Sequence, residues 1–192
     1  RDRRFQMVVA FKNHGESAGT SLKHPHWQVI ATPVVPRLLR QKHAVATDYF
    51  DQTGQCLYCV MLERELGAKR RVLAFNDEFA AVLPYASHVP FETWIVPRHH
   101  LSSFAHEESR HLPLLADLLK IVLSKLDRGL GNPDFNLTID TAPRGDELKE
   151  YFLWHLRIIP RLTTPAGFEL GSGMSINTVL PEEAAEFLRN VE

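Results

Sequence analysis

The residues with the greatest chemical reach lie near the start of the chain, in His24-Pro25-His26-Trp27-Gln28. Side chains alternate along a strand, so His24, His26 and Gln28 are expected on one face. The β-branched run Val29-Ile30-Ala31-Thr32 extends that strand. Just upstream, Asn13 and the small residues Ser17-Ala18-Gly19-Thr20-Ser21 form a loop. Such a loop exposes backbone N–H groups and lets a phosphate come close. An imidazole beside an amide donor and a phosphate-binding loop points to attack on phosphorus, with His26 as nucleophile. A histidine-rich surface loop leading into an ordinary strand is the other reading of the same spacing.

A second set of reactive residues follows. Cys56 and Cys59 stand as C-x-x-C, a metal half-site or redox pair rather than a disulfide framework. With His100 downstream they fit tetrahedral zinc, and two buried reduced thiols are the alternative. His155 sits on a later apolar stretch. Gly167-Phe168-Glu169-Leu170-Gly171-Ser172-Gly173 is small enough for close approach to a ligand, or is a glycine-rich strand turn.

The elements that must position these groups follow from apolar periodicity and turn residues. Strands are expected at 5–11, at 26–32, at 72–75, 79–83 and 91–96, and at 135–141 and 151–159. The first two should pair antiparallel across the loop 13–23. A helix is expected from Pro36 to about Phe50, then a boundary near Asp51-Gln52-Thr53-Gly54. A short helix over 60–66 is closed by Gly67. The clearest helix runs from Glu107 to Leu126, with Leu112, Leu115, Leu119, Val122 and Leu126 at helical spacing and Gly129 and Gly131 as its stop. Pro181 opens a last helix through Leu188.

The 192 residues are 44% hydrophobic and 23% charged, a globular composition with enough length for one or two domains. The net charge of -1 gives no general attraction to nucleic acid or membranes. No apolar run approaches the roughly 20 residues of a membrane span, and the start does not read as a signal peptide. A cytoplasmic protein is expected.

Asn-x-Gly, Ala-Gly-x-Ser and His-Pro-His-x-Gln together resemble the active-site segment of the galactose-1-phosphate uridylyltransferase family, in the histidine-triad superfamily. The resemblance continues through Pro90-Phe91-Glu92-Thr93, Pro97-Arg98-His99-His100, Trp154-His155 and Gly167-Phe168-Glu169. It implies an α+β fold: a histidine-triad-like antiparallel sheet with flanking helices. Residues 1–50 would be the second half of one unit and 51–192 a complete second unit, so the chain is expected to be the later part of a longer protein. It also implies an approximate duplication, with His24 to Gln28 corresponding to Leu153 to Arg157.

By this resemblance His26 attacks the α-phosphorus of a nucleotide sugar and a hexose 1-phosphate exchanges through the nucleotidyl-histidine. Gln28, Asn13, Ser21 and the backbone of Gly19 and Thr20 would hold phosphate oxygens. His24 would be a zinc ligand whose usual cysteine partners have no counterpart here. The fourth ligand beside Cys56, Cys59 and His100 should fall at Leu153, which cannot serve, and His155, His99 or water is the substitute. Phe168, Gly171 and Gly173 would reach the sugar phosphate across a homodimer interface. The glycine-rich version of that segment resembles relatives that use other nucleotide sugars, so an ADP-sugar phosphorylase-like activity is the nearest rival. A non-catalytic nucleotide- or zinc-binding protein is the alternative from a different class.

Overall fold

The computed structural model describes residues 4–20, 22 and 24–192. Among them, seven strands make one sheet: β1 (Met7–His14), β2 (Trp27–Thr32), β3 (Val72–Phe75), β4 (Phe79–Val82), β5 (Thr93–Pro97), β6 (Phe135–Asp140) and β7 (His155–Pro160). Their order is β2-β1-β6-β7-β5-β4-β3, and all neighbours are antiparallel. The helices are α1 (Arg37–Thr53), α2 (Leu57–Ala68), α3 (Leu112–Leu130), α4 (Gly167–Ser172) and α5 (Pro181–Asn190). This is the α+β, histidine-triad-like architecture expected. Among the described residues, no helix is long and apolar enough to cross a membrane.

Strand alternation divides the core in two. Leu73, Phe79, Ala81, Leu83 and Ile95 face α3 and α5, where they meet Leu118, Val122, Leu126, Ala185 and Leu188. Their neighbours Val72, Ala80, Val82 and Val96 pack with Tyr58, Leu62, Ala46 and Phe152. With both faces covered, β4 is buried at all four positions. Each large side chain sealed in this way contributes about 1.5–3 kcal/mol.

Several boundaries differ from expectation for identifiable reasons. Helix α2 begins at Leu57, so Cys59 lies in its first turn, and it passes Gly67 to end where Lys69 takes a left-handed φ of 58°. Helix α3 begins at Leu112 rather than Glu107, because the Glu107 side chain is drawn inward to His111 and Trp154. Gly129 does not stop α3. A Cβ there would come within 2.8 Å of Val191 and 3.0 Å of Phe187, so glycine allows the α5 end of the chain to lie close. Gly131, with φ 72°, is the cap. Residues 151–154 precede β7 and are not strand. The glycine-rich segment, for which a strand turn is the alternative reading, forms helix α4 with Gly173 as its cap.

Candidate functional site

His26 immediately precedes β2 and is half-buried. Its Nδ1 lies 2.8 Å from the His24 carbonyl oxygen. A carbonyl only accepts, so Nδ1 carries the proton and Nε2 presents its lone pair. That tautomer is the one a nucleophilic ring nitrogen needs. Gln28 is half-buried on β2, paired with Phe11 of β1. The strand begins at Trp27, so the continuous face expected for His24, His26 and Gln28 does not form. The His24 side chain is exposed, and what it offers His26 is its carbonyl.

The preceding loop is fixed from β6. The carboxylate of Asp134 accepts the Ser17 N–H and Oγ–H, both at 2.7 Å, which holds it below the usual carboxylate range. Gly15, at φ +87°, lies against it so closely that a Cβ would sit 1.6 Å from Oδ1. Asn136 Nδ2 donates to Asn13 Oδ1 at 2.8 Å and to the Ala18 carbonyl at 2.9 Å. Asn13 in turn donates to Gly19 O at 3.4 Å. The N–H groups of Gly19 and Thr20, expected as phosphate donors, bond within the loop to Glu16 O at 2.9 Å and Gly15 O at 3.2 Å. The unused group is the buried Thr20 hydroxyl, which has no partner among the described residues. Ser21 lies outside the described residues. Asp134 and Asn136 escape a sequence reading because they approach from a distant strand and carry no local motif.

Cys56 caps the N-terminus of α2 and is buried. Cys59 Sγ is 3.2 Å from His100 Nδ1, and one donor atom from each of the three residues falls within 4.8 Å of the others. Donation from Cys59, aided by His100, lowers the Cys56 thiol to about 5, while the same bond raises Cys59. A helix N-terminus favours thiolate further. This donor set fits a soft metal ion such as zinc. His24 and His155 are not among the converging donors.

His155 is instead fully buried against the Trp94 ring, with centroids 4.4 Å apart. Its Nδ1 is 3.1 Å from Leu153 O and its Nε2 is 3.4 Å from Asp140 Oδ2. Asp140 also pairs with Lys42 of α1 and lies 3.8 Å from Arg157. Burial would raise the Asp140 carboxyl, but His155, Lys42 and Arg157 outweigh it and hold it well below the usual range. Arg157 bonds Glu92 at 2.9 and 3.1 Å. Burial lowers the pKa of His155, against the opposing pull of Asp140.

Phe168, Gly171 and Gly173 lie on or just after α4, all exposed. The following segment is tied to the loop before β5 by Ser175 to His88 at 3.3 Å and Asn177 to Ser87 at 3.4 Å. A hollow of about 640 Å³ is lined by Phe5, Met7, Phe104 and Ile139 among others and includes none of the expected site residues.

No protein-family model matches the chain. It is 38% identical over 186 residues to the ADP-glucose phosphorylase of Arabidopsis thaliana, covering 96% of this chain and 52% of the relative. To the galactose-1-phosphate uridylyltransferase of Thermotoga maritima it is 32% identical over 197 residues, covering 96% and 60%. The chain therefore spans only half to three fifths of the length of these relatives. A crystal structure of an Arabidopsis thaliana ADP-glucose phosphorylase with bound ADP-glucose has a TM-score of 0.91 at 36% identity, over 100% of this chain and 61% of that one. A zinc-bound histidine-triad protein from Mycobacterium smegmatis matches at TM-score 0.51 and 17% identity, over 71% of this chain and 91% of that one, a likeness of fold alone.

Proposed function

We propose, on the premise that this chain is homologous to the galactose-1-phosphate uridylyltransferase family, that it carries the nucleophile of a nucleotidyltransferase acting between sugar 1-phosphates. The observation that carries the reading is His26, with Nδ1 tied to the His24 carbonyl and Nε2 left as the lone-pair nitrogen. Nε2 attacks the α-phosphorus of a nucleoside diphosphate sugar. An N–P bond forms, the bridging P–O bond breaks, and the sugar 1-phosphate leaves with the electron pair. A second sugar 1-phosphate then attacks the same phosphorus and releases His26. Two displacements replace one difficult transfer. Gln28 donates to a phosphoryl oxygen as charge builds there. The Thr20 hydroxyl joins it, and Asn13 shapes the loop.

Uridylyl transfer with hexose 1-phosphate as acceptor is the primary reading. Adenylyl transfer from ADP-glucose is the second, favoured by the 38% identity to ADP-glucose phosphorylase. We read residues 1–50 as the second half of one histidine-triad unit and 51–192 as a second unit in a cytoplasmic protein. Zinc held by Cys56, Cys59 and His100 would supply a structural link between α2 and the loop after β5.

A homodimer presenting Phe168, Gly171 and Gly173 to the partner's His26 is supported by the exposure of Phe168, Leu170, Met174 and Ile176 on one short segment. Its check is complementation. Mixed His26→Ala and Gly171→Trp subunits should regain activity, and failure despite subunit exchange refutes the shared site. The nucleophile is tested by intact-mass spectrometry after incubation with UDP-glucose or ADP-glucose. A uridylyl or adenylyl adduct identifies the base. No adduct with either would leave the binding-only alternative.

A further inference from the structure

Outside these sites, a second group of metal-ligating side chains converges near the turn between β3 and β4. Asn76 Oδ1 accepts the N–H groups of Glu78 and Phe79 at 3.1 and 2.8 Å. The Arg98 N–H donates to Glu78 O at 2.8 Å, and its guanidinium donates to Asn76 O at 2.7 Å. Glu78 is thus presented from a braced turn. His99 and His100 are successive residues after β5, yet they serve different places. His100 turns to the cysteines, and His99 turns to Glu78 and to His111 at the start of α3. The two rings lie 5.2 Å apart.

The tautomers are set by one buried carboxylate. The Glu107 side chain is 1% exposed. Its Oε2 accepts the Trp154 indole N–H at 3.0 Å. Its Oε1 lies 2.8 Å from His111 Nδ1 and 3.3 Å from His99 Nε2. A carboxylate oxygen facing both rings draws the N–H of each toward itself. The remaining nitrogens, His99 Nδ1 and His111 Nε2, then point lone pairs at Glu78. They stand 3.3 Å from Oε2 and 3.8 Å from Oε1. His99 Nδ1 is buried and has no hydrogen-bond partner among the described residues.

Two lone-pair nitrogens facing a carboxylate, with no donor between them, call for a cation. Donors about 2.0–2.2 Å from a zinc-like ion stand roughly 3.3–3.5 Å apart in a tetrahedron, close to the separations here. Carboxylate-bound imidazoles are also the usual supporting arrangement of metal-ligating histidines.

We propose that Glu78, His99 and His111 form a second site for a zinc-class divalent transition-metal ion, with Glu107 as the positioning carboxylate. Two imidazoles and one carboxylate leave a coordination position open. Glu78 and His99 are each about a third exposed, so the ion can enter from solvent. The donor set is harder than the thiolate site and shares no ligand with it.

The test uses the full chain, stripped with a chelator and titrated with Co²⁺. A thiolate site gives an intense sulfur-to-cobalt band, and a nitrogen–oxygen site gives weak d–d absorption alone. One equivalent without the sulfur band is expected, displaced by Zn²⁺. Glu107→Gln should weaken that equivalent by roughly 10–100-fold, and Glu78→Gln or His99→Gln by at least as much, with any thiolate equivalent unchanged. A chain binding only this equivalent would refute the cysteine site and leave this one standing. Uptake confined to the thiolate equivalent overturns the proposal. So does undiminished binding in folded Glu78→Gln and His99→Gln, or ¹⁵N spectra showing both rings doubly protonated and unresponsive to Zn²⁺.

Discussion

In both the β1–β2 and the β6–β7 pair, a histidine stands at the entry to the second strand with Nδ1 turned to the carbonyl two residues back. His26 meets His24 at 2.8 Å and His155 meets Leu153 at 3.1 Å. The registers agree as well. Continuing the β1–β2 pairing sets Asn13 across from His26, where Asp140 pairs with His155. The surroundings separate them. Asn13 is neutral and holds a loop, while Asp140 gathers His155, Lys42 and Arg157 around a carboxylate. Gln28 has its counterpart in Arg157, whose guanidinium is engaged by Glu92. One backbone arrangement therefore yields a half-buried ring beside a loop and a fully sealed ring facing a carboxylate. Neighbouring charge and burial, rather than the strand frame, decide which.

The largest expected effect is at His26. His26→Ala should lower transfer by about 10⁴-fold or more, as loss of a nucleophile does, and abolish the mass adduct while thermal unfolding stays unchanged. His155→Ala should do the reverse, and loss of the adduct in a folded His155→Ala protein would break the comparison.

Next comes Asp140→Asn, which leaves Lys42 and Arg157 facing an uncharged amide in a buried place. Thermal unfolding should report a loss of about 3–5 kcal/mol near neutral pH, or about 10 °C in a chain of this size. The folded-state pKa of Asp140 is depressed. Its contribution is therefore full above the unfolded value, about 3.9, and declines as pH falls below that value toward the folded one. Wild type and variant should accordingly begin to converge only below about pH 4.

Gln28→Ala should slow transfer by roughly a hundredfold, the loss typical of one electrostatic donor, whereas an unchanged rate would remove Gln28 from the chemistry. The smallest effect is at Asn136, which ties Asn13 and Ala18. Asn136→Ala should cost about 1–2 kcal/mol, seen as faster amide exchange confined to residues 13–20.

The strand order along the chain, the antiparallel β1–β2 pair and the C-x-x-C–His convergence were legible because each rests on local pattern or spacing. What failed depended on distant partners. Gly67 and Gly129 look like helix stops, yet α2 runs past the first and α3 uses the second to admit Val191 and Phe187. Glu107 reads as an N-terminal helix charge, yet tertiary contacts with Trp154 and His111 pull it from the helix. His155 was a reasonable substitute ligand by chain position, but Asp140 and Trp94 claim it. The donors Gly19 and Thr20 follow from composition, and only the closed loop shows their N–H groups already used.

The seam between β1 and β6 also sets an order of events in folding. The β1–β2 hairpin precedes α1, α2 and α3, and the only further described neighbour of β1 in the sheet is β6, a strand encoded after all three. Closing so long a loop carries an entropic cost that local pairs avoid. Strands β3, β4 and β5 can assemble on α3 through shorter loops. Among the described strands, the hairpin bearing His26, marginal by itself, gains its further sheet partner only once β6 exists. Its chemistry is made before the strand that puts it in order.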